Sequence, residues 1–150
     1  MLPPRFLSAL RLPAADRALA LEAVVLFHAC RALLWVVPIR RLRPLLGAEG
    51  PPDAPRDTPP RPGPSVRAVR RALRRASRAT PDTCLAQALA GRIMLRRRNV
   101  ASTLSLGVRQ HDGALDFHAW LRSDGVLVNG ASGPQAYQVL QTFHDRPESG

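Results

Sequence analysis

The sequence predicts an α+β fold, in which a helical first half is followed by a small antiparallel sheet. Apolar residues recur at helical spacing in 17–37, 65–78 and 84–98. From 102 to 129, apolar and polar residues alternate as they do in half-buried strands. At 150 residues, the chain has the length of one ordinary domain. Two hairpin turn signals divide the alternating stretch, Asp112-Gly113 and Asp124-Gly125.

All 22 positively charged residues are arginines, and the formal net charge is +11. Because arginine stays protonated at any accessible pH, we expect an acidic partner surface. The alternative is that this arginine-, alanine- and proline-rich composition reflects a GC-rich coding sequence. Cys30 and Cys84 lie in different surroundings. This argues against a disulfide framework and favours a nucleophilic thiol in a reducing compartment, so we expect a cytoplasmic protein.

The N-terminal segment, 1–47, predicts one helix over 17–37, with Asp16 as its N-cap and Pro38 as its stop. Its uncharged runs are shorter than the ~18 residues of a membrane span. Signal-peptide features are also poor. The helix is expected to pack on the domain's own core, with Cys30 as a packed residue. The alternative is docking on a partner or membrane surface, with a basic edge at Arg40, Arg41 and Arg43.

A proline-rich linker is predicted over 48–64, which contains seven prolines. Ser65 is then expected to cap a basic amphipathic helix at the start of the third segment, 65–150. Such a helix is most often a solvated face, but it can also bind nucleic acid, anionic lipid or an acidic peptide. No aromatic residue is interleaved with its arginines, so nucleic acid is not favoured.

Cys84 is expected in the first turn of the next helix, capped by Asp82 or Thr83. At a helix start, unpaired backbone N–H groups and the positive end of the helix dipole stabilise a thiolate. The same amides can hold a developing oxyanion. The alternative interpretation is that Cys84 is a small buried hydrophobic residue.

His118 lies in the second of three predicted strands, 102–109, 114–123 and 126–129, on the face opposite the aliphatic residues. A two-residue turn would pair Ser123 with Val126 and Trp120 with Asn129. Asn129 would then be a diagonal neighbour of His118 and could orient its imidazole. Asp116, two residues away on the same face, is the second candidate. Asp124 is about 20 Å away along an extended strand, too far to touch the imidazole.

Two stretches, CLAQALAGRIMLRRRNVASTLSLGVRQ and FHAWLRSDGVLVNG, resemble a known family. It is the transglutaminase-like cysteine peptidase of lasso-peptide biosynthesis, related to the C-terminal domain of the microcin J25-processing protein. The resemblance covers 65 to about 140, and the N-terminal helical segment is also similar. It implies a transglutaminase-like or papain-like core, with a catalytic helix packed on a small antiparallel sheet and an N-terminal helical arm.

The resemblance implies Cys84 as nucleophile and His118 as general base and acid. Family members usually carry an aspartate in a V-N-D pattern, where this chain reads Val128-Asn129-Gly130. Glycine replaces the expected carboxylate, and Asn129 is the expected substitute.

The family removes the leader from a ribosomally made precursor. The implied partners are the precursor peptide, a small leader-binding protein and an asparagine-synthetase-like lasso cyclase. ATP has been linked to processing in the family, but no cofactor or metal site is evident here, and a chain without lysine cannot hold a Walker motif. Three alternatives stay open: acyl transfer to an amine, a non-catalytic leader or partner adaptor, and a basic nucleic-acid binder.

Overall fold

The computed structural model describes residues 12–52, 60–78, 83–130 and 136–146. Within these ranges the chain has four α-helices and one five-stranded antiparallel sheet, which confirms the predicted α+β class. The helices are α1 (Ala14–Val36), α2 (Arg43–Leu46, preceded by a 3-10 turn at Ile39–Leu42), α3 (Pro64–Ser77) and α4 (Cys84–Arg96). The strands are β1 (Ala48–Gly50), β2 (Ser102–His111), β3 (Ala114–Ser123), β4 (Val126–Asn129) and β5 (Gln138–Asp145).

Two predicted helix caps are wrong. α1 begins at Ala14 with Pro13 in the cap position, so Asp16 lies inside the first turn. α3 is capped by Gly63 and has proline at its first helical position, so Ser65 also lies inside the helix. Proline is favoured at this position because its missing N–H would have no partner within the helix anyway. This reason applies to Pro64 in α3. In α1, Pro13 is itself the cap, with an extended ψ of 148°, so the helix begins directly after it and before Asp16.

The three strands predicted from alternation are confirmed, with small differences at their ends, but two more strands complete the sheet. The sheet order is β1-β5-β2-β3-β4, so β5 pairs with β2 and places β1 at one edge. β1 lies within 48–64, where an irregular linker was predicted, and that prediction is wrong for these residues. The chain there pairs with β5 despite its composition, since Ala48, Glu49 and Gly50 precede the proline run. Linker residues 53–59 lie outside the described ranges.

Both hairpin turns predicted from Asp-Gly pairs are confirmed. Asp112 and Gly113 have φ values of 49° and 78°, and Asp124 and Gly125 have φ values of 50° and 77°. Two successive positive φ values are typical of the tight turn whose twist matches that of the flanking strands. These turns fix the end of β2, both ends of β3 and the start of β4.

The predicted register of β4 is correct at the turn and wrong beyond it. Ser123 pairs with Val126 as expected, and Arg122 pairs with Leu127. An irregularity then inserts an extra residue into β4, so that Asn129 lies opposite Leu121 and not opposite Trp120. A bulge of this kind bends the strand and redirects the side chains that follow it. Counting back from the turn without a bulge would pair His118 with Ala131, which lies outside the described residues.

One hydrophobic core joins the helices to the sheet. Its buried members on α1 are Ala23, Phe27 and Cys30, and they share it with Leu89 of α4 and Leu104 of β2. Ion pairs add to this contact, since Glu22 lies 3.2 Å from Arg97 and 2.6 Å from Arg98. α1 therefore packs on the domain's own core, as favoured above. The division into segments 1–47, 48–64 and 65–150 stays a prediction.

The outer face of α1 is exposed and apolar. Its exposed large hydrophobic residues are Leu21, Val24, Val25, Trp35 and Val36. The helix is 23 residues long with a mean hydropathy of 1.8 in its most apolar window, so by length and composition alone it could cross a membrane. Core helices of soluble proteins and signal sequences meet the same criterion. The uncharged runs alone do not predict this property, because Glu22 and Arg31 interrupt them but lower the mean hydropathy of the helix only a little.

A buried arginine attaches α4 to the sheet. Arg92 is fully buried, and its Nη2 donates hydrogen bonds to the backbone oxygens of Ser102 (3.2 Å) and Phe143 (2.6 Å). Burial lowers the pKa of this guanidinium to about 10. Because the two acceptors belong to β2 and β5, Arg92 fixes the position of α4 across two strands. The helix that carries Cys84 is thus held rigidly from its C-terminal half.

Candidate active site

Cys84 is the first residue of α4 and is half-buried. Thr83 occupies the N-cap position as predicted, but its side chain makes no capping hydrogen bond. Its carbonyl accepts the first helical hydrogen bond, from the N–H of Gln87 at 3.0 Å. The amides of the first turn therefore have no carbonyl partner within the helix. The other predicted cap, Asp82, lies outside the described residues.

His118 lies on β3 and is held by aromatic rings. Its neighbours Ala119 and Leu121 belong to the core, which confirms the predicted alternation for this half of the strand, whereas Leu115 and Phe117 of the same predicted face are exposed. The imidazole stacks on Tyr137, with ring centroids 5.0 Å apart and an interplanar angle of 22°. Trp120 is also stacked, at 6.2 Å. Such contacts restrict the ring orientation of the partly buried imidazole.

Glycine at position 107 makes room for this aromatic group. Gly107 pairs with His118 across the β2–β3 ladder. A Cβ atom at Gly107 would lie 2.7 Å from the Trp120 ring. Any larger residue would therefore displace Trp120, which is only 2% exposed.

Cys84, His118 and Asn129 line the same cavity, which has a volume of about 930 Å³. The structure thus brings together all three residues that the sequence analysis selected. One wall is formed by the start of α4 and by β3 and β4: Cys84, Gln87, His118, Leu127, Val128, Asn129 and Gly130. The opposite wall is formed by α3 and the residue after it: Arg70, Arg71, Arg74, Arg75, Ser77 and Arg78.

The side chain of Asn129 is directed at the backbone of Cys84. Its Nδ2 donates to the Cys84 carbonyl oxygen at 3.4 Å, a long hydrogen bond. This contact follows from the bulge in β4, which shifts Asn129 out of the register that was expected beside Trp120. The role predicted for Asn129, orienting His118, stays a prediction. The contact that the structure gives instead ties β4 to the start of α4.

Asp124 is bound elsewhere. Its Oδ2 accepts a hydrogen bond from the N–H of Gly63 at 3.0 Å, so it holds the start of α3 against the β3–β4 turn. The inference that Asp124 lies too far from His118 is in line with this contact.

Asp116 is linked to His118 through Tyr137. Its Oδ2 accepts hydrogen bonds from Arg109 Nε at 2.8 Å and from the Tyr137 hydroxyl at 2.9 Å. The guanidinium of Arg109 also lies 4.7 Å from the Tyr137 ring centroid. Arg109, Asp116 and Tyr137 therefore form a network behind the imidazole. Tyr137 was missed by the sequence analysis, because it follows the last predicted strand and no local pattern marks it.

Gly130 lies beside Nε2 of the His118 imidazole. A Cβ atom there would lie 3.3 Å from His118 Nε2 and 2.8 Å from the Cβ of Trp120. Nε2 is buried and has no hydrogen-bond partner among the described residues. A carboxylate in the V-N-D pattern would start from this same position. The aspartate that is missing at position 130 would thus lie beside His118 Nε2, the nitrogen without a partner.

The electrostatics of the site keep His118 neutral. Burial lowers the pKa of the imidazole, nearby Asp116 raises it, and Arg109 lowers it further, with a net decrease. The pKa of Asp116 is itself lowered by its hydrogen bonds to Tyr137 and Arg109. At neutral pH the imidazole is therefore unprotonated and able to accept a proton.

The sequence profile of the Transglutaminase-like superfamily matches residues 23–142. The chain belongs to this superfamily. The match runs from α1 to β5, so it includes the N-terminal helix as well as the sheet, and it agrees with the predicted fold. Transglutaminase-like proteins are typically cysteine peptidases or acyltransferases. No curated protein and no solved structure matches the chain.

Within the described residues, the cavity lining of this transglutaminase-like protein includes no Asp or Glu that could bind the metal ion of a nucleotide. Among the described residues, no group of three His, Cys, Asp or Glu side chains could hold a cation. Its arginines carry the charge that phosphates need, but the part of the chain that the structure describes has no glycine-rich loop beside α3 or α4. No chemical step is therefore assigned to ATP.

Proposed function

We propose that the protein is a cysteine peptidase in which Cys84 is the nucleophile and His118 is the general base and acid. The single observation that carries the proposal is that both side chains line one cavity of a transglutaminase-like fold. The superfamily match supports cysteine chemistry of this class. The position of Cys84 at the start of α4 supports its assignment as nucleophile, because helix-start amides favour a thiolate and an oxyanion.

In the first half of the reaction, His118 takes the thiol proton and Cys84 Sγ attacks the carbonyl carbon of the scissile peptide bond. Nδ1 is the nitrogen assigned to proton transfer, since Nε2 is buried against Gly130. The first-turn amides of α4 hold the oxyanion. The C–N bond then breaks, His118 gives its proton to the departing amine, and the acyl group stays on Cys84 as a thioester.

In the second half, His118 takes a proton from water, and the resulting hydroxide attacks the thioester carbonyl. The C–S bond breaks, the carboxylic acid leaves, and the proton returns to the thiolate. Every proton taken by His118 is thus returned within one cycle. The cavity wall of arginines does not take part in these transfers.

The substrate proposed for this reaction is the precursor of a lasso peptide, and the product is its core with a free amine. The support is the resemblance of the Cys84 helix, the L-x-L-G-V strand and the HAW strand to leader peptidases of lasso-peptide biosynthesis. A small leader-binding protein would deliver the precursor, and an asparagine-synthetase-like cyclase would join the new amine to a side-chain carboxylate. The reaction would take place in the cytoplasm.

The test is incubation of the purified protein with the short precursor and the leader-binding protein encoded next to its gene, followed by mass spectrometry. Wild type should release a leader with a free carboxylate, and His118→Ala should release none while unfolding at the same denaturant concentration. Cleavage by His118→Ala at the wild-type rate would refute the proposed base.

Acyl transfer is the second candidate, because the same superfamily includes acyltransferases. Adding glycine ethyl ester or putrescine to the reaction separates the two. A leader that carries the added amine indicates transfer, whereas a leader with a free carboxylate indicates hydrolysis.

A non-catalytic adaptor is favoured only by the partnerless Nε2 of His118 beside Gly130. If the protein is an adaptor, its Cys84→Ala variant should support maturation of the precursor as well as the wild type does.

A further inference from the structure

Five arginines of α3 and its C-terminal end form the wall that faces the proposed catalytic pair. They are Arg70, Arg71, Arg74, Arg75 and Arg78, here called the arginine wall. A basic helix face is most often simply solvated. This face is different, because it lines the same cavity as Cys84 and His118. Its charge therefore acts on whatever occupies the site.

No arginine of the arginine wall forms an ion pair with a carboxylate of the described residues. Other arginines of the same chain are paired: Arg96 with Asp145, Arg97 and Arg98 with Glu22, and Arg109 with Asp116. Two more described carboxylates are also engaged, since Glu49 accepts from Gln141 and Asp124 accepts from Gly63. The positive charge of the wall is thus left for a molecule from outside the described part of the chain.

The wall is also held in place. Val66, Val69 and Leu73 bury the opposite face of α3 in the core. Asp124 binds the N–H of Gly63 at the helix start and so attaches α3 to the β3–β4 turn. Because the helix cannot roll without breaking both contacts, the guanidinium groups stay on the cavity side. A fixed set of guanidinium groups suits carboxylates, which arginine binds in a bidentate geometry.

We propose that the arginine wall binds an acidic segment of the peptide substrate, rich in Asp or Glu, while Cys84 attacks a bond nearby. This inference rests on the proposed peptidase function and names its substrate class. Within the described residues, the cavity lining includes no Phe, Tyr or Trp on which nucleic-acid bases could stack. Carboxylates on a peptide match both the charge of the wall and the chemistry of the thiol.

The test measures binding of a fluorescein-labelled peptide of alternating glycine and glutamate by fluorescence anisotropy. The matched probe is the same peptide with glutamine in place of glutamate. The wild-type protein should bind the glutamate peptide at low salt and should bind the glutamine peptide at least about tenfold more weakly, because the guanidinium contacts need a charged acceptor. Equal binding of the two peptides would overturn the inference.

Two charge-reversed proteins locate the binding site. Arg71→Glu/Arg74→Glu changes exposed residues of the wall, and Arg40→Glu/Arg41→Glu makes the same change in net charge at exposed residues of the 3-10 turn. We expect at least about tenfold weaker binding for the first and less than about twofold for the second when both are measured at about 0.15 M salt, where the Debye length is about 8 Å and exposed charges that do not contact the peptide are largely screened. Equal losses would mean that only the overall charge attracts the peptide, which would overturn the inference.

A footprint links the wall to the nucleophile. Bound glutamate peptide should slow the alkylation of Cys84 by iodoacetamide, whereas the glutamine peptide should not.

ATP and a short oligo-dT serve as competitors. If either displaces the glutamate peptide at a lower concentration than unlabelled glutamate peptide does, the wall prefers phosphates and the inference is wrong. These readouts need no cleavage, so binding with protection but no proteolysis would refute only the proposed function. Cleavage indifferent to substrate charge would refute only this inference.

Discussion

Gly130 lies against the imidazole of His118, and a Cβ atom at this glycine would be 3.3 Å from Nε2. In the V-N-D pattern of the resembling family, an aspartate occupies this position. Here the backbone has φ +106°, a conformation that residues with side chains rarely adopt. A carboxylate attached at this position would lie close to the imidazole, but the backbone conformation there suits only glycine.

Restoring the carboxylate should not restore a triad. In Gly130→Asp the new Cβ would meet the Cβ of Trp120 at 2.8 Å, and the backbone would be strained. We expect a loss of about 1–3 kcal/mol in unfolding free energy, measured by urea denaturation, and no gain in leader release per folded molecule. Gly113→Asp is the control, because it also has positive φ but nothing within 4 Å of its Cβ. A Gly130→Asp protein as stable as wild type and faster in cleavage would contradict this view.

The pH profile should report the charges behind His118. The neutral imidazole is the active form, so kcat/KM should fall as the pH drops through a pKa below the usual value near 6.5. Asp116 raises this pKa, so Asp116→Asn should move the acidic limb to lower pH. Arg109 lowers it, so Arg109→Gln should move the limb to higher pH. Shifts of the same sign in both variants would contradict the assignment.

Tyr137 should act through the orientation of His118. Its ring stacks on the imidazole at 5.0 Å, and its hydroxyl donates to Asp116 at 2.9 Å. Tyr137→Phe keeps the ring and loses only the hydrogen bond, so we expect a modest decrease in kcat. Tyr137→Ala removes the stack, so we expect kcat to fall at least about tenfold with a smaller change in KM. Equal kcat values for the two variants would argue against a role for the ring.

Arg92 should be needed for stability. Arg92→Ala removes a fully buried side chain and leaves the carbonyls of Ser102 and Phe143 without their donor. We expect a loss of about 2–5 kcal/mol in unfolding free energy, measured by urea denaturation. Arg97→Ala is the matched control, because the Arg97 side chain is 64% exposed and Glu22 keeps its ion pair with Arg98, so the loss should be far smaller. Similar losses in the two variants would contradict the structural role of Arg92.

The elements that could be predicted from the sequence are those with local signals. Asp-Gly turns and strict alternation located β2, β3 and β4, and the helix-start position of Cys84 followed from the residues that precede it. β5 escaped prediction because its pairing with β2 is long-range and its apolar residues do not alternate. The cap positions failed because Pro13 and Pro64 decide the helix starts.

The candidate site divides in the same way. Cys84 and His118 could be selected from their local setting, but their shared cavity depends on how α4 packs on the sheet. The bulge that moves Asn129 toward the Cys84 carbonyl has no local signal in the sequence, and neither has the stacking of Tyr137 on His118. The arginine wall was visible as a basic helix face, yet only the packing of α3 shows that its exposed arginines line the cavity that contains Cys84.

The most direct test of the account compares the two cysteines. Burial raises the pKa of the Cys30 thiol to about 11, so Cys30 should be inert, whereas half-buried Cys84 lines the cavity. The measurement is the rate of leader release by Cys84→Ala and Cys30→Ala proteins with the precursor and its leader-binding protein. The account predicts no release by Cys84→Ala and a rate near wild type for Cys30→Ala. Release by Cys84→Ala at the wild-type rate would contradict it.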